Sequence, residues 1–177
     1  MPYYRRSLTG TTYFFTVVTH RRRSILCDDA VRTALRHAIE RVRIRLPFTT
    51  DAMVLMPDHL HCIWTLPDGD TDFSSRWAQI KHHVSYSCGQ LYPITLSRSR
   101  QCRGGAGIWQ RRFWEHQIRD EIDMERHVDY IHYNPVKHGF VKTASEWPYS
   151  TFGRFVRDGV YPADWGGNPD CEGMEFE

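Results

Sequence analysis

Two hydrophobic periodicities run along the chain and together predict alternating strands and helices. Four segments are rich in β-branched and aromatic residues, which is typical of strands; they are residues 11–20, 48–56, 59–66 and 108–118. Three others carry apolar residues at intervals of three and four, which is typical of amphipathic helices; they are residues 30–46, 72–92 and 120–134. The order β-α-β-β-α-β, followed by a helix, predicts a ferredoxin-like (RRM-like) α+β sandwich whose antiparallel sheet is covered on one face.

Local signals mark the ends of these segments. Asp28 or Asp29 can cap the first helix. Residues 57–58, a Pro-Asp pair, predict a tight turn that joins the second and third strands as a hairpin. Pro135 is expected to end the last helix, because the residue before a proline avoids the helical region.

The length and composition fit one globular domain of 177 residues, 41% of them hydrophobic and 25% charged. We expect residues 1–157 to form this domain and residues 158–177 to form an acidic tail containing Gly and Pro. No apolar run approaches the length of a membrane span, and the N-terminal residues lack the apolar core of a signal peptide. A cytoplasmic location is therefore expected.

Charge is segregated along the chain, although the net charge is only +2. Residues 76–112 contain seven Lys or Arg and no Asp or Glu, and residues 1–50 contain ten arginines and three acids. Residues 158–177 contain six acids and no Lys or Arg. This segregation favours a body that binds a polyanion, and the aromatic residues among the arginines favour nucleic acid over an ordinary solvated surface.

Two histidines lie one residue apart in the third predicted strand. Because strand side chains alternate between faces, His59 and His61 point the same way, while Leu60, Cys62 and Trp64 point to the more apolar face. Two neutral imidazoles in this arrangement can bind one divalent metal ion. The alternative is a pair of histidines hydrogen-bonded on a half-exposed strand, and an H-x-H pair by itself favours that alternative.

A tyrosine and an asparagine lie four residues apart in the last predicted helix. Tyr130 and Asn134 therefore share one helical face, with His127 one turn before Tyr130. A tyrosine hydroxyl, with an ordinary pKa of about 10, is a poor nucleophile. A metal-polarised phosphodiester nearby makes it competent, and an amide oxygen can complete the metal's coordination. Tyr133 is an alternative nucleophile, and a packing role for Tyr130 remains open.

Arginines and aromatic residues mix in the segment WQRRFW, residues 109–114. This mixture suits a groove that follows a nucleic-acid backbone and stacks unpaired bases, while an edge strand with exposed charge is the alternative. The candidate DNA-binding residues here, in the second helix and in the N-terminal arginine cluster are Trp109, Arg111, Arg112, Phe113, Trp114, Lys81, Arg21 and Arg22. Lys81 is otherwise a solvated surface residue.

Several motifs together resemble a known family. DHLH on a strand, followed about seventy residues later by a helical tyrosine with an amide residue four positions on, resembles the single-tyrosine HUH transposases of small insertion sequences. The segments YIHYNPVKHGFV, WQRRFWEHQIRDE and WPYSTFGRFVRDGVYPADW resemble more narrowly the REP-associated tyrosine transposases, a bacterial branch of that class. The resemblance runs from about residue 10 to residue 165.

The resemblance implies a role for each residue of the two motifs. His59 and His61 would bind Mg²⁺ or Mn²⁺, with Asn134, where insertion-sequence relatives usually have Gln, as third metal ligand. Tyr130 would attack a single-stranded DNA phosphodiester and form a 5′-phosphotyrosine, leaving a free 3′-OH. A second 3′-OH could then attack the phosphotyrosine and rejoin the DNA.

The resemblance also implies the substrate and the setting. The substrates would be repetitive extragenic palindromes (REP), which are DNA hairpins flanked on the 5′ side by a tetranucleotide. LTGTT, with Gly10, Thr11 and Thr12, resembles the family's Gly-Thr block near that tetranucleotide. A monomer in the bacterial cytoplasm, associated with the nucleoid, is expected rather than a homodimer.

Two other functions are compatible with parts of this pattern. A non-catalytic module that binds single-stranded DNA hairpins would use the same fold, with structural histidines. An HUH relaxase would place its nucleophile near the N-terminus, where Tyr3 and Tyr4 lie, but it needs a third histidine after the pair, and residues 62–69 offer none. Many rolling-circle initiators carry tyrosines at YxxxY spacing, whereas this helix has YxxY.

Overall fold

The computed structural model of the chain describes residues 11–93 and 107–166. The strands of this part are β1 (Thr12–Val18), β2 (Thr49–Leu55), β3 (His59–Thr65) and β4 (Trp114–Gln117). Its α-helices are α1 (Asp29–Arg45), α2 (Phe73–Cys88), α3 (Glu121–Lys137) and α4 (Phe152–Arg157). Short 3₁₀ turns lie at His20–Arg22, Gly89–Leu91 and Ala144–Glu146.

The strands form one antiparallel sheet in the order β2-β3-β1-β4. β1 and β3 pair along their whole length at the centre of the sheet, with Phe14 opposite Ile63 and Thr16 opposite His61. The two outer strands, β2 and β4, flank this pair. This order is the one expected for a βαββαβ sandwich, and it confirms the predicted fold class.

Helices cover both faces of the sheet, so the expectation of one covered face is wrong. α1 and α2 cover the face that carries Leu60 and Trp64, and the indole of Trp64 stacks on Trp77 of α2 with 4.1 Å between ring centroids. α3 covers the opposite face, where Phe14 and Ile63 form a second core with its apolar side chains. The central strands are therefore buried on both sides.

The fourth strand is shorter than predicted because an irregularity interrupts the pairing at the sheet edge. Thr19 pairs with Trp109 and Thr16 pairs with Trp114. Two residues therefore lie between the paired positions on the β1 side, whereas four lie between the two tryptophans. The segment between the two tryptophans thus has two extra residues, and it departs from the regular hydrogen bonding of the sheet. Such bulges bend an edge strand and turn its side chains in new directions.

α3 begins as predicted but continues through Pro135 to Lys137. At its start, the side chain of Asp120 accepts a hydrogen bond from the backbone N–H of Asp123 at 2.8 Å. Proline lacks one backbone N–H, but it lies in the last turn, where the next N–H groups still bond to the final carbonyls of the helix. Gly139, with a φ of +71°, then ends the helix, as a residue in the left-handed region commonly does.

The chain after α4 folds back on the body as far as the structure describes it. The ring of Tyr161 stacks on Trp165 with 4.5 Å between centroids, and its hydroxyl donates a hydrogen bond to Asp129 of α3. The acidic residues 167–177 lie outside the described residues, as do residues 1–10, which include Gly10. No described helix is both long and apolar enough to cross a bilayer.

Candidate active site

His59 and His61 lie on the face of β3 that α3 covers. Their rings contact each other, with 4.8 Å between centroids. Both are buried, at 3% and 0% exposure. The shared face is confirmed, and the alternative of a half-exposed strand is wrong because α3 packs over the rings.

Each imidazole is held through its Nδ1 atom. Asp58 Oδ1 lies 2.7 Å from Nδ1 of His59, and Thr16 Oγ1 lies 2.9 Å from Nδ1 of His61. A partner at Nδ1 fixes the ring and makes Nε2 the coordinating atom, which is the usual arrangement of a metal-binding histidine. Asp58 was expected only in the turn before β3 and in the DHLH motif, with no role of its own. A carboxylate directly before an H-x-H pair is the signal that could have revealed its role.

The protonation states also suit a metal ligand. Burial, and to a lesser degree the neighbouring His59 and His138, holds the pKa of His61 well below its ordinary value, so His61 is neutral at neutral pH. The hydrogen bond with His59 lowers the pKa of Asp58, which therefore stays a carboxylate. A neutral imidazole held by a charged or polar neighbour is the form that binds a metal ion.

Tyr130 of α3 lies directly against this histidine pair. Its ring centroid is 5.1 Å from that of His61, and the ring of Phe14 packs against both, at 6.1 and 5.5 Å. The structure thus brings together the two motifs that are about seventy residues apart in the chain. Tyr130 is only 1% exposed, so a phosphodiester reaches its hydroxyl only after neighbouring side chains move.

Asn134 lies one helical turn beyond Tyr130 and is fully buried. Neither its amide oxygen nor its amide nitrogen has a hydrogen-bond partner among the described residues, and the same holds for Nε2 of His61. A buried polar group left in this state costs about 1–3 kcal/mol. These unsatisfied atoms fit a site that is completed by a divalent cation with imidazole and amide ligands.

Two residues at the end of α3 add to the site and were not expected. The ammonium of Lys137 lies 5.1 Å from the ring centroid of Tyr130. The exposed ring of His138 lies 5.7 Å from that of His59. The KHG run that closes the helix places positive charge beside the histidines, where a phosphate would approach.

Four residues expected to contact DNA face the protein interior instead; they are Thr12, Lys81, Trp109 and Phe113. The hydroxyl of Thr12 lies 2.9 Å from that of Thr65, within the sheet. Lys81 donates to the Gln110 carbonyl at 3.0 Å, its ammonium lies over the Phe113 ring, and burial lowers its pKa to about 8. Trp109 and Phe113 pack on the core under α2 because their segment closes this edge of the sheet.

The other residues of the tryptophan-arginine segment remain accessible. Arg111 and Arg112 are exposed in the irregular stretch before β4. Trp114 is 42% exposed, and its ring stacks on His116 with an interplanar angle of 7°. An exposed indole beside two arginines keeps the properties of a stacking platform for an unpaired base.

Arg21 and Arg22 are also exposed, in the short 3₁₀ turn that follows β1. Both have a positive φ, 57° and 50°, which is uncommon for residues other than glycine. Arg22 donates to Asp58 at 3.2 Å, so this strained turn is tied to the carboxylate that holds His59. Thr11, by contrast, is half-buried at the start of the sheet.

Comparisons with known proteins identify the family of the chain. The family model described as "Transposase IS200 like" matches residues 7–134. A REP-associated tyrosine transposase of Escherichia coli K12 is 49% identical over 166 residues, which cover 94% of this chain and 91% of that protein. A putative REP-associated tyrosine transposase of Haemophilus influenzae is 43% identical over 177 residues, covering 97% of each. A solved structure of a REP-associated tyrosine transposase bound to a REP hairpin matches with a TM-score of 0.76 at 49% identity, covering 95% of this chain and 93% of the other.

Proposed function

The chain belongs to the IS200-like transposases and, within them, to the REP-associated tyrosine transposases, and from this premise we propose that it cleaves and rejoins single-stranded DNA at REP-type hairpins through a 5′-phosphotyrosine. The observation that carries the proposal is the contact between Tyr130 and the histidine pair across the interface of β3 and α3. A hydroxyl nucleophile beside two imidazoles is the constellation that phosphodiester transfer requires.

A divalent ion, Mg²⁺ or Mn²⁺, would be held by His59, His61 and Asn134. Once bound, it would supply Lewis acidity that polarises the scissile phosphodiester. Asp58 and Thr16 support this assignment because they hold the two imidazoles through Nδ1. The buried, unsatisfied amide of Asn134 supports its part as third ligand.

Tyr130 performs the covalent step. Its Oη attacks the phosphorus, an Oη–P bond forms, and the P–O3′ bond breaks. The hydroxyl proton leaves Tyr130 and the departing O3′ gains a proton, so the upstream strand ends in a 3′-OH and the downstream strand stays on the enzyme. A second 3′-OH can reverse the step and join the DNA, because the phosphotyrosine is itself a phosphodiester. Lys137, over the Tyr130 ring, offsets the negative charge of the approaching phosphate.

We infer that the substrate is the class that the solved relative binds, a REP hairpin. The accessible residues Arg111, Arg112 and Trp114 suit its backbone and unpaired bases, and Arg21 and Arg22 suit phosphates close to the histidines. We further propose that the protein acts as a monomer on the bacterial nucleoid.

A non-catalytic hairpin-binding module is the second candidate function, and the 1% exposure of Tyr130 is the observation that favours it. In that case the histidines, the tyrosine and the asparagine form a polar patch in the core. This function predicts DNA binding that needs no divalent ion and leaves no covalent product.

A strand-cleavage assay separates the two functions. A single-stranded hairpin labelled at its 3′ end is incubated with protein and Mn²⁺, or with EDTA, and run on a denaturing gel. We expect a labelled protein–DNA adduct with Mn²⁺, none in EDTA and none with Tyr130→Phe, while Tyr133→Phe, a matched change on the same helix, retains it. Tight binding without an adduct under any metal ion would favour the binding module, and an adduct in EDTA would contradict the metal requirement.

A further inference from the structure

A second group of metal-ligating side chains lies between β4 and the first turns of α3. His116 projects from β4, and Asp123 and His127 project from α3. One nitrogen or oxygen atom from each residue lies within 4.8 Å of the others. We propose that these three residues bind a second divalent metal ion of the Zn²⁺ type, which fastens α3 to the edge strand.

The spacing of the donor atoms fits a metal site. His116 Nε2 lies 2.8 Å from Asp123 Oδ2, and His127 Nδ1 lies 3.2 Å from Asp123 Oδ1. Ligand atoms about 2.0–2.2 Å from a tetrahedral zinc ion lie about 3.3–3.6 Å from one another. Each imidazole thus lies within 3.2 Å of one of the two carboxylate oxygens of Asp123. One donor atom of each residue already lies within 4.8 Å of the others, so movements of about 1–2 Å bring three donors to the spacing of one ion.

The kinds of donor and their surroundings point to a transition metal. Two imidazoles and one carboxylate suit Zn²⁺, Co²⁺ or Fe²⁺ better than Mg²⁺, which prefers oxygen ligands. The side chains of His116, Asp123 and His127 are 24%, 10% and 3% exposed, so the group is largely shielded but open to water on one side. The two imidazole rings stack at 4.8 Å between centroids, and His127 packs on Phe14, which limits how far either ring can turn.

The competing interpretation is a hydrogen-bonded network that secures the start of α3. Asp123 accepts hydrogen bonds from the backbone N–H of Arg119 at 3.0 Å and from its guanidinium at 3.4 Å, besides the contact with His116. Nδ1 of His127 also lies 2.8 Å from the backbone carbonyl oxygen of Asp123, a contact that a metal ion at Nδ1 would replace. The Arg119 side chain is 75% exposed and is able to turn into solvent, and the second oxygen of Asp123 remains for a metal ion. A hydrogen bond and a metal bond cannot use the same lone pair, so metal binding distinguishes the two interpretations.

The two metal sites share no residue. The ring of Phe14 stands between them, 4.8 Å from His127 and 5.5 Å from His61. Loss of one site therefore leaves the ligands of the other in place. The proposal does not depend on the chemistry assigned to Tyr130.

The test is a count of bound ions. Metal-free protein is titrated with Zn²⁺ in a calorimeter, and the bound ions are counted by native mass spectrometry; Co²⁺ provides a visible spectrum for the same sites. We expect two Zn²⁺ ions on the wild type and one each on His116→Gln and Asp123→Asn. His61→Ala should also bind one Zn²⁺ ion, and Zn²⁺ should raise its melting temperature. The double variant, His61→Ala with His116→Gln, should show no such rise.

Three comparisons keep the test decisive. Glu115→Gln, an exposed neighbour on β4, should still bind two ions. His116→Gln changes a partly exposed side chain and leaves the Asp120 cap intact, so its circular dichroism in EDTA should match the wild type even if Asp123→Asn is less stable. The proposal is overturned if His116→Gln still binds two ions. It is also overturned if the double variant with His82→Gln and His83→Gln binds only one, because the second ion would then lie elsewhere.

Discussion

Replacing Asn134 by leucine is expected to make the protein more stable and inactive at the same time. The amide of Asn134 is fully buried, and neither of its polar atoms has a hydrogen-bond partner among the described residues. Leucine has the same branched shape and number of side-chain heavy atoms but no polar atom, so it removes the desolvation cost without opening a cavity. That cost is about 1–3 kcal/mol, and in a domain of this size each kcal/mol moves the melting temperature by about 2–4 °C.

The assay is thermal unfolding followed by circular dichroism, first in EDTA and then with Mn²⁺. In EDTA, Asn134→Leu should melt about 2–12 °C above the wild type, because it removes the cost of the unsatisfied buried amide. Mn²⁺ at a hundred times its dissociation constant stabilises a protein that binds it by about 2.7 kcal/mol, and only the wild type should gain this. The advantage of the variant should therefore shrink or reverse when the ion is added.

Asn134→Ala provides the matched control. It removes the same amide but leaves a cavity, so it should be less stable than Asn134→Leu in EDTA while sharing its insensitivity to Mn²⁺. If Asn134→Leu unfolds at a lower temperature than the wild type in EDTA, the amide stabilises the fold and the reasoning is refuted. Full adduct formation by Asn134→Leu would refute its role as a metal ligand.

Three further predictions follow from the site and its surroundings. Asp58→Asn should weaken Mn²⁺ binding about 10–100-fold in a calorimetric titration because His59 loses its carboxylate partner, whereas the exposed Asp68→Asn should not. Changing Arg111 and Arg112 together to Ala should weaken hairpin binding and flatten its dependence on log salt by about 1.4–1.8, while the same change at two exposed arginines of α1 should leave the slope intact. Burial lowers the pKa of His132 to about 3, so below its ordinary pKa of 6.5 the unfolded chain binds a proton that the folded protein does not. The free energy of unfolding by urea should therefore fall by up to about 1.4 kcal/mol per pH unit between pH 6.5 and 3, less steeply in His132→Gln, and an unchanged slope in that variant would contradict the assignment.

The order of strands and helices could be predicted because each segment carries its own period. Alternation placed His59 and His61 on one face of β3, and helical spacing placed Tyr130 and Asn134 on one face of α3, before any three-dimensional information was needed. The pairing of these two faces came from the resemblance to a family. No local pattern in β3 indicates that a helix about sixty residues later covers its histidines.

The features that escaped prediction depend on contacts between distant segments. Thr16 meets His61 only because β1 and β3 pair in one particular register. The irregular stretch at Arg111 exists because the edge strand carries two more residues than its partner can match, and an edge has no second neighbour to enforce alternation. The helical pattern predicts that Lys81 is a surface residue. The irregular stretch before β4 covers it, however, and its ammonium donates a hydrogen bond to the Gln110 carbonyl.

Peptide mapping of the adduct shows whether Tyr130 is the residue that forms the covalent bond to DNA. The adduct formed with Mn²⁺ and a single-stranded hairpin is digested with nuclease and trypsin, and the peptide that carries a residual nucleotide is sequenced by mass spectrometry. We expect a single modified residue, Tyr130, joined to the 5′-phosphate of the downstream strand. A nucleotide found on Tyr133, or on Tyr3 or Tyr4, would contradict it.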